Sequence, residues 1–407
     1  MSNDKKITVN ISPQDAPCKG VRVIEFASMV SGPFAGQMLG DMGAEVIKIE
    51  MPEGDALRLM HPQEKGLAAF FVSVNRNKKS IAINLKDPEG KAIARKLLLS
   101  ADVVIENFRP DVMKKLGLGY DDLKVENPAL IYASICGYGT SGPYANRPAY
   151  DQTIQPICGV MENLAEIGKH DKPLPIRNYM ADKSASMTLV NGILAALFSR
   201  ERNGGTGQQV SVSLLDAFSA FALVDPMKNS TFQREGAEQI PELDLFQPIK
   251  TSDGYVMGML MMDAQFKGLC KICDREDLLG DERFQTSWSR LTHYEAMWQE
   301  MEKGTLKQTT KSVVEKAAAN NVPLSPVNTI QQFFDDPQAK HNGTFFDIEH
   351  PVYGTVRQIN HPTKFSESRL DVNSIAPTLG EHTDEVLKEL GFNDGDIARL
   401  RETGGVR

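Results

Sequence analysis

The chain has 407 residues, which at roughly 100 to 200 residues per domain implies two or three domains and a sizeable core. Hydrophobic residues make up 41% and charged residues 24%, the composition of ordinary folded proteins, so disorder, collagen-like repeats and a disulfide scaffold are excluded. A formal charge of -8 disfavours bulk attraction to nucleic acid or anionic membrane, so phosphate binding would need a local cluster of cations.

In chain order, Val21 to Phe26 is a short β-branched apolar run, and Ala27 to Pro33 supplies turn residues. A helix from Phe34 to Met42 then closes at Gly43, and a second strand follows at Glu45 to Ile49. This is the β-turn-α-β unit of a parallel sheet with helices on its faces. The alternation continues with a strand at Ser80 to Leu85, a helix capped by Asp87 with Pro88 at its first position, and strands at Ala101 to Glu106 and Leu130 to Ile135. An open Rossmann-like α/β sheet is expected. Cys136 to Pro148, rich in Gly, Ser, Pro and Asn, reads as an exposed loop at a strand's carboxyl end, where such sheets bind ligands. A helix from about Asp182 to Arg200 and a strand at Gln208 to Val212 complete this part.

Beyond Phe232 the composition turns polar, and the chain enters a smaller α+β domain with a hairpin around Asp253-Gly254 and helices near 264–273, 294–303 and 311–320. The prolines of Val322 to Val327 mark a crossing back, followed by β-rich segments from Thr344 to Phe365 and a final helix near Thr383 to Leu390. The expected division is a large domain over 1–225, a linker over 226–242, a small domain over 243–321, and 322–407 as linker and return. No apolar run reaches the 18 residues of a membrane span. The five cysteines (Cys18, Cys136, Cys158, Cys270, Cys273) and an N-terminus without a signal-peptide core lead us to expect a reducing cytoplasm.

Several chemistries fail on spacing. Cys270 and Cys273 have no second pair to complete a zinc site and read as core residues. The first β-turn-α carries Ser31-Gly32-Pro33-Phe34-Ala35-Gly36 in place of G-x-G-x-x-G, which argues against a nicotinamide cofactor. There is no G-x-S-x-G elbow, and the seven histidines show no metal spacing. A carboxylate is then the natural group for covalent chemistry. Asp182, at the start of a mostly apolar helix, fits that role, although its position alone reads first as a helix cap. The small residues after it (Ser184, Ala185, Ser186) would let a bulky acyl group approach.

The segments Gly20 to Glu50, Asn75 to Gly90, Ala101 to Leu123, Ser134 to Asp151 and Pro377 to Phe392 together resemble the class III CoA-transferases. This is the formyl-CoA transferase and carnitine CoA-transferase group, also called the CaiB/BaiF family. The resemblance implies transfer of CoA from an acyl-CoA thioester to a carboxylic acid through aspartyl anhydride and aspartyl-CoA intermediates. Its nucleophile falls on Asp182, in front of the Gly192 to Leu197 run. CoA contacts carried over by position are Ser31, Ile83, Lys86, Asn107, Phe108, Lys115 and Tyr150, with Asp151 as a neighbour. It also implies no metal or redox cofactor, acyl-CoA and a small carboxylic acid as partners, and an interlaced homodimer threaded by connections near Asp225 to Glu242 and Val322 to Phe334.

Two departures concern substrate choice: Val30 replaces a glutamine of formyl-CoA transferases, and their glycine-rich flap is missing. Met51 also replaces a basic residue that some members carry beside the nucleotide. Arg147 and Arg177 are candidates to pair with a second substrate carboxylate, or are surface salt-bridge partners. The related 2-methylacyl-CoA racemases carry Gly-His-Asp where this chain has Ala149-Tyr150-Asp151, and a tyrosine with an ordinary pKa near 10 is a poor base. Racemisation and non-catalytic CoA binding are the alternatives.

Overall fold

The computed structural model describes residues 15–240, 242–370 and 372–407; residues 1–14, on which the reading of the N-terminus rests, lie outside them. The described residues form two compact units, one within 15–160, 175–226 and 343–407, the other within 161–174 and 227–342.

The first unit is built on six parallel strands: β1 (Arg22–Phe26), β2 (Glu45–Glu50), β3 (Lys78–Ala82), β4 (Val103–Glu106), β5 (Ile131–Cys136) and β6 (Gln209–Ser213). Their order is β3-β2-β1-β4-β5-β6, that of the doubly wound dinucleotide-binding folds. Helix α1 (Ser31–Asp41) and helix α2 (Met180–Arg202) belong to this unit. The expected helix after Asp87 is present at Pro88–Leu99, with the Asp87 carboxylate accepting the Gly90 N–H.

Strand residues alternate between the two faces of a sheet, and here both faces are buried. On one, Ile24, Phe26, Ile47, Ile49 and Ile81 pack against Ile93, Leu97 and Leu98 in an apolar core. On the other, β1 presents Glu25 opposite Lys48 of β2, and Lys48 opposite Ser80 of β3. The side chains of Glu25, Lys48 and Lys78 are fully buried. Lys48 Nζ lies 3.0 Å from Glu25 Oε1 and 3.0 Å from Asp55 Oδ2, and Lys78 Nζ lies 2.7 Å from Glu25 Oε2. Gly36 of α1 makes room for this layer, since a Cβ there would come within 2.0 Å of Glu25 Oε2. Burial pulls the Lys48 ammonium down, but Glu25, Asp55 and Glu50 outweigh it and hold it above its usual range. For Lys78, burial wins over Glu25 and lowers the amine to about 8.

The structure departs from expectation in two places. The segment 322–342 does not return to the first unit: Leu324–Pro326 pairs antiparallel with Tyr255–Gly258, which also pairs with Ile249–Lys250, so it completes the three-stranded sheet of the second unit. The return begins at Gly343, just before the hairpin of Phe345–His350 and Gly354–Ile359. The chain does not end in the helix at Thr383–Glu389, because a further helix spans Asp394–Glu402. Cys270 and Cys273 are unpaired and buried with Phe266, Met297 and Trp298 in the core of the second unit, and burial pushes their thiols up to about 11 and about 12. Among the described residues, no helix is long and apolar enough to cross a membrane.

Candidate active site

Strands β1 and β4 are neighbours at the point where the strand order reverses, the position where open α/β sheets leave a crevice beyond their carboxyl ends. Two segments emerge there. Ala27 to Val30 leads from β1 into α1, and Asn107-Phe108 follows β4.

The Asn107 amide ties these segments together. Its Oδ1 accepts the Ser28 N–H at 3.0 Å, and its Nδ2 donates to the Ser28 carbonyl at 2.7 Å and to Ser31 Oγ at 3.3 Å. The Phe108 ring lies edge-on to Phe26 at 5.1 Å, and the Phe108 N–H donates to Glu106 Oε2 at 2.8 Å. Burial pushes the Glu106 carboxyl up to about 7 against that hydrogen bond.

Asp182 stands in the first turn of α2, which begins at Met180, two residues earlier than the sequence suggested. The cap is not Asp182 but Asp151, 2% exposed, whose Oδ2 accepts the N–H groups of Ala181 at 2.6 Å and Asp182 at 3.3 Å. Gln155 Nε2 donates to the other Asp151 oxygen at 2.6 Å. With the cap supplied from elsewhere, the Asp182 side chain is released from that task, and Ser186 Oγ, hydrogen-bonded to the carbonyls of both Ser31 and Asp182, keeps Ser31 beside it. Burial first, and the negative charge of Asp151 second, push the Asp182 carboxyl up to about 7, while the Ser31 hydroxyl and Lys183 pull the other way. A carboxylate raised in this way is more basic than an ordinary one, and it ionises near neutrality.

The small residues after Asp182 serve helix packing. Ser184, Ala185 and Ser186 are buried, and Ser186 Oγ lies 2.7 Å from the carbonyl oxygens of both Ser31 and Asp182, joining α1 to α2.

Hydrogen bonds thus connect Ser31, Asn107, Asp151 and Asp182 into one group. Among the described residues, no hydrogen bond links the other carried-over residues to it. Ile83 is fully buried and donates its N–H to the Glu50 carbonyl, so its side chain faces the core. Lys86 and Lys115 are exposed, the first beyond β3 and the second beyond β4. Tyr150 is 60% exposed and donates its N–H to Thr153 Oγ1. In the same loop the Arg147 guanidinium stacks on Tyr144 at 3.7 Å, and Arg177 is exposed. Sequence reasoning missed the capping role of Asp151, the clamp made by Asn107 and the charged layer beneath α1. For the last there was a signal: Glu25 and Lys48 each stand inside an apolar run of a parallel strand, where both faces are covered.

The profile of CoA-transferase family III matches residues 18–383. A succinate–glutarate CoA-transferase from Agrobacterium fabrum is 37% identical, the match covering 92% of this chain and 96% of the relative. The human succinyl-CoA:glutarate CoA-transferase is 31% identical, over 96% of this chain and 90% of the relative. Among solved structures, a CaiB/BaiF family protein from Brucella suis superposes with a TM-score of 0.81 at 35% identity, covering 93% of this chain and 100% of that one. Sequence, strand order and solved relatives converge, and the chain belongs to CoA-transferase family III.

Proposed function

We propose that Asp182 is the covalent nucleophile of a CoA transfer between two carboxylic acids. The observation that carries this reading is a carboxylate relieved of helix capping by Asp151 and raised to about 7, in the crevice where the sheet order reverses.

The ionised carboxylate attacks the thioester carbonyl of the donor acyl-CoA, the C–S bond breaks, and CoA leaves as thiolate. The resulting mixed anhydride is attacked by that thiolate at the Asp182 carbonyl carbon, which forms an aspartyl-CoA thioester and releases the donor acid as carboxylate. The acceptor carboxylate then attacks this thioester, giving a second anhydride and free thiolate. Attack of the thiolate on the acceptor's acyl carbon yields the new acyl-CoA and restores Asp182. No proton is consumed, and the chemistry needs only a fixed nucleophile and exclusion of water.

Ser31, Asn107, Phe108, Tyr150 and the exposed Lys86 and Lys115 are the proposed contacts to CoA, with Ile83 able to contribute only through its backbone and Asp151 acting through Asp182. The strands leading to Lys86 and Lys115 stand three strand spacings apart, roughly 14 Å, a distance one extended nucleotide can bridge. Short dicarboxylic acids are the first acceptors to test, because two relatives carry succinate or glutarate in their names and Arg147 and Arg177 offer exposed cations nearby in the chain.

The working form in this reading is an interlaced homodimer in the cytoplasm. A cleft of about 990 Å³ in the first unit, lined by apolar groups that include Phe34, Met38, Val72, Met187 and Leu194, supports a second copy as the missing cover. Exposed Phe198, Phe221 and Val224 add to that support. Sedimentation as one species of twice the chain mass tests it.

The decisive experiment gives the protein acyl-CoA without acceptor. A hydroxylamine-sensitive mass adduct on Asp182 is expected. Asp182→Ala should lose the adduct and at least roughly 10⁴-fold in exchange rate with free CoA affinity retained. Full exchange by that variant sinks the reading, and α-deuterium incorporation into a 2-methylacyl-CoA without any adduct points to racemisation instead.

A further inference from the structure

Ser31, beside Asp182, is the first residue of α1, and side chains hold the backbone of the β1–α1 connection and of the first turn of α1 at four residues. Lys48 Nζ donates to the Ala27 carbonyl at 2.7 Å. Asn107 takes both the N–H and the carbonyl of Ser28. Asp55 Oδ1 accepts the Met29 N–H at 3.1 Å. Lys78 Nζ donates to the Pro33 carbonyl at 2.7 Å. The Lys48, Asp55 and Lys78 side chains are at most 1% exposed.

Met29 has φ +63°, in the left-handed region that a residue with a long side chain adopts only under constraint. Such a conformation persists where its surroundings over-determine it. Buried ion pairs commonly contribute little net stability, and their best-attested use is to fix one arrangement among several. Here the arrangement they fix contains Ser31, whose Oγ accepts from Asn107, whose carbonyl shares the Ser186 hydroxyl with the Asp182 carbonyl, and whose hydroxyl favours the charged form of the Asp182 carboxyl.

We infer that Asp55, through the Met29 N–H and its 3.0 Å ion pair with Lys48, is a positioning residue: it holds the Ala27–Ser31 turn at the depth that keeps the Ser31 hydroxyl beside the Asp182 carboxylate. The inference rests on Asp182 being the nucleophile. Asp55 itself is spoken for by Lys48 and by the N–H groups of Met29 and Leu57, so it acts through the turn. When the turn relaxes, the carboxylate loses a donor that favours its charged form, and a higher pH is needed to ionise it.

The test follows adduct formation on Asp182 from acyl-CoA as a function of pH, alongside free CoA affinity by calorimetry and thermal melting. Relative to wild type, Asp55→Ala should slow adduct formation more than about tenfold at pH 7 and raise the midpoint of the pH profile by roughly half a unit, with CoA affinity within about twofold. Asp55→Asn, which keeps an acceptor for the Met29 N–H, should recover most of the rate. In a Ser31→Ala background, Asp55→Ala should move the midpoint no further. A folded Asp55→Ala protein with the wild-type midpoint, or one that shifts it equally without Ser31, overturns the inference.

If Asp55→Ala does not melt cooperatively, Met29→Gly takes its place. Glycine adopts the same φ without strain and frees the turn, so the midpoint should again rise, and an unchanged midpoint overturns the inference as well. A wild-type protein that forms no adduct brings down the nucleophile itself, and the positioning role falls with it. That outcome is distinct from an adduct whose pH profile ignores Asp55.

Discussion

The two faces of the six-stranded sheet are equally dry and entirely different in chemistry. The face under Ile93, Leu97 and Leu98 is largely hydrocarbon, with the Tyr132 hydroxyl on the Leu118 carbonyl and the Glu106 carboxyl at its edge, while the face under α1 carries Glu25, Lys48, Lys78 and the Glu50 carboxylate bound by Arg58 and Ser80. Burying hydrocarbon gains about 25 cal/mol per Å² and takes little account of direction. Ion pairs removed from water roughly break even, but their hydrogen bonds are directional. One face holds the molecule together, and the other, on the reading proposed above, aims the turn beside Asp182. Beyond the sheet's carboxyl ends the exposed Lys86 and Lys115 belong to neither regime, being accessible to an anionic ligand and screened by salt.

That division can be broken experimentally. The largest stability effect belongs to the apolar face. Ile47→Ala, at a fully buried position, should lower the unfolding free energy by about 2–4 kcal/mol in urea titration. The pH midpoint of adduct formation should stay where it is in the protein that remains folded; a shifted midpoint would show that the two faces are not separable.

A smaller effect, of opposite sign, belongs to Asp182. It titrates at about 7 in the native protein and near the ordinary 3.9 when unfolded, so the native state holds the extra proton between those values. Stability therefore falls as pH rises from about 4 to 7. Asp182→Asn cannot ionise and should gain on the wild type across that window, by ~2 kcal/mol at pH 8 after allowing for partial exposure. Urea midpoints at pH 5 and pH 8 check this, and equal differences at the two values contradict it. If Asp182 is the nucleophile, adduct formation in the wild type should rise with pH through about 7.

The smallest effect is at the rim. Lys115→Ala should weaken free CoA binding roughly threefold to tenfold and flatten its salt dependence, with melting unchanged. Unaltered affinity in calorimetry removes Lys115 from the nucleotide site.

Much of the first unit was legible because its strands are continuous apolar runs set off by turn residues. The strands at 22–26, 45–50 and 131–136 lie within a residue or so of where the pattern put them. Their lateral order was not legible, since pairing is decided by packing between distant segments. For the same reason Glu25 and Lys48 gave no hint of which charges they would meet. The Asp151 cap escaped because it acts across 30 residues, beyond any local capping pattern. The helix at Asp394–Glu402 buries only Ile397 and Leu400, too thin a stripe to stand out. Asp182 is the instructive case: position alone suggested a cap, family resemblance suggested a nucleophile, and the fold supplies the cap from Asp151.

Edge strand β3 is finished by the far end of the chain. Ser80 exchanges hydrogen bonds with His382, 302 residues away, and Ala82 and Asn84 bond to Arg407 and Gly405. On a ribosome adding about 5–20 residues per second, that separation leaves β3 waiting roughly 15–60 s for its partners, a bare sheet margin of the kind that recruits strands from neighbouring chains. The second unit, almost wholly contained in 227–342, can be complete before the first one closes. Yield on expression should therefore depend on how fast the last sixty residues arrive, a demand set by the path of the chain rather than by the energy of its native state.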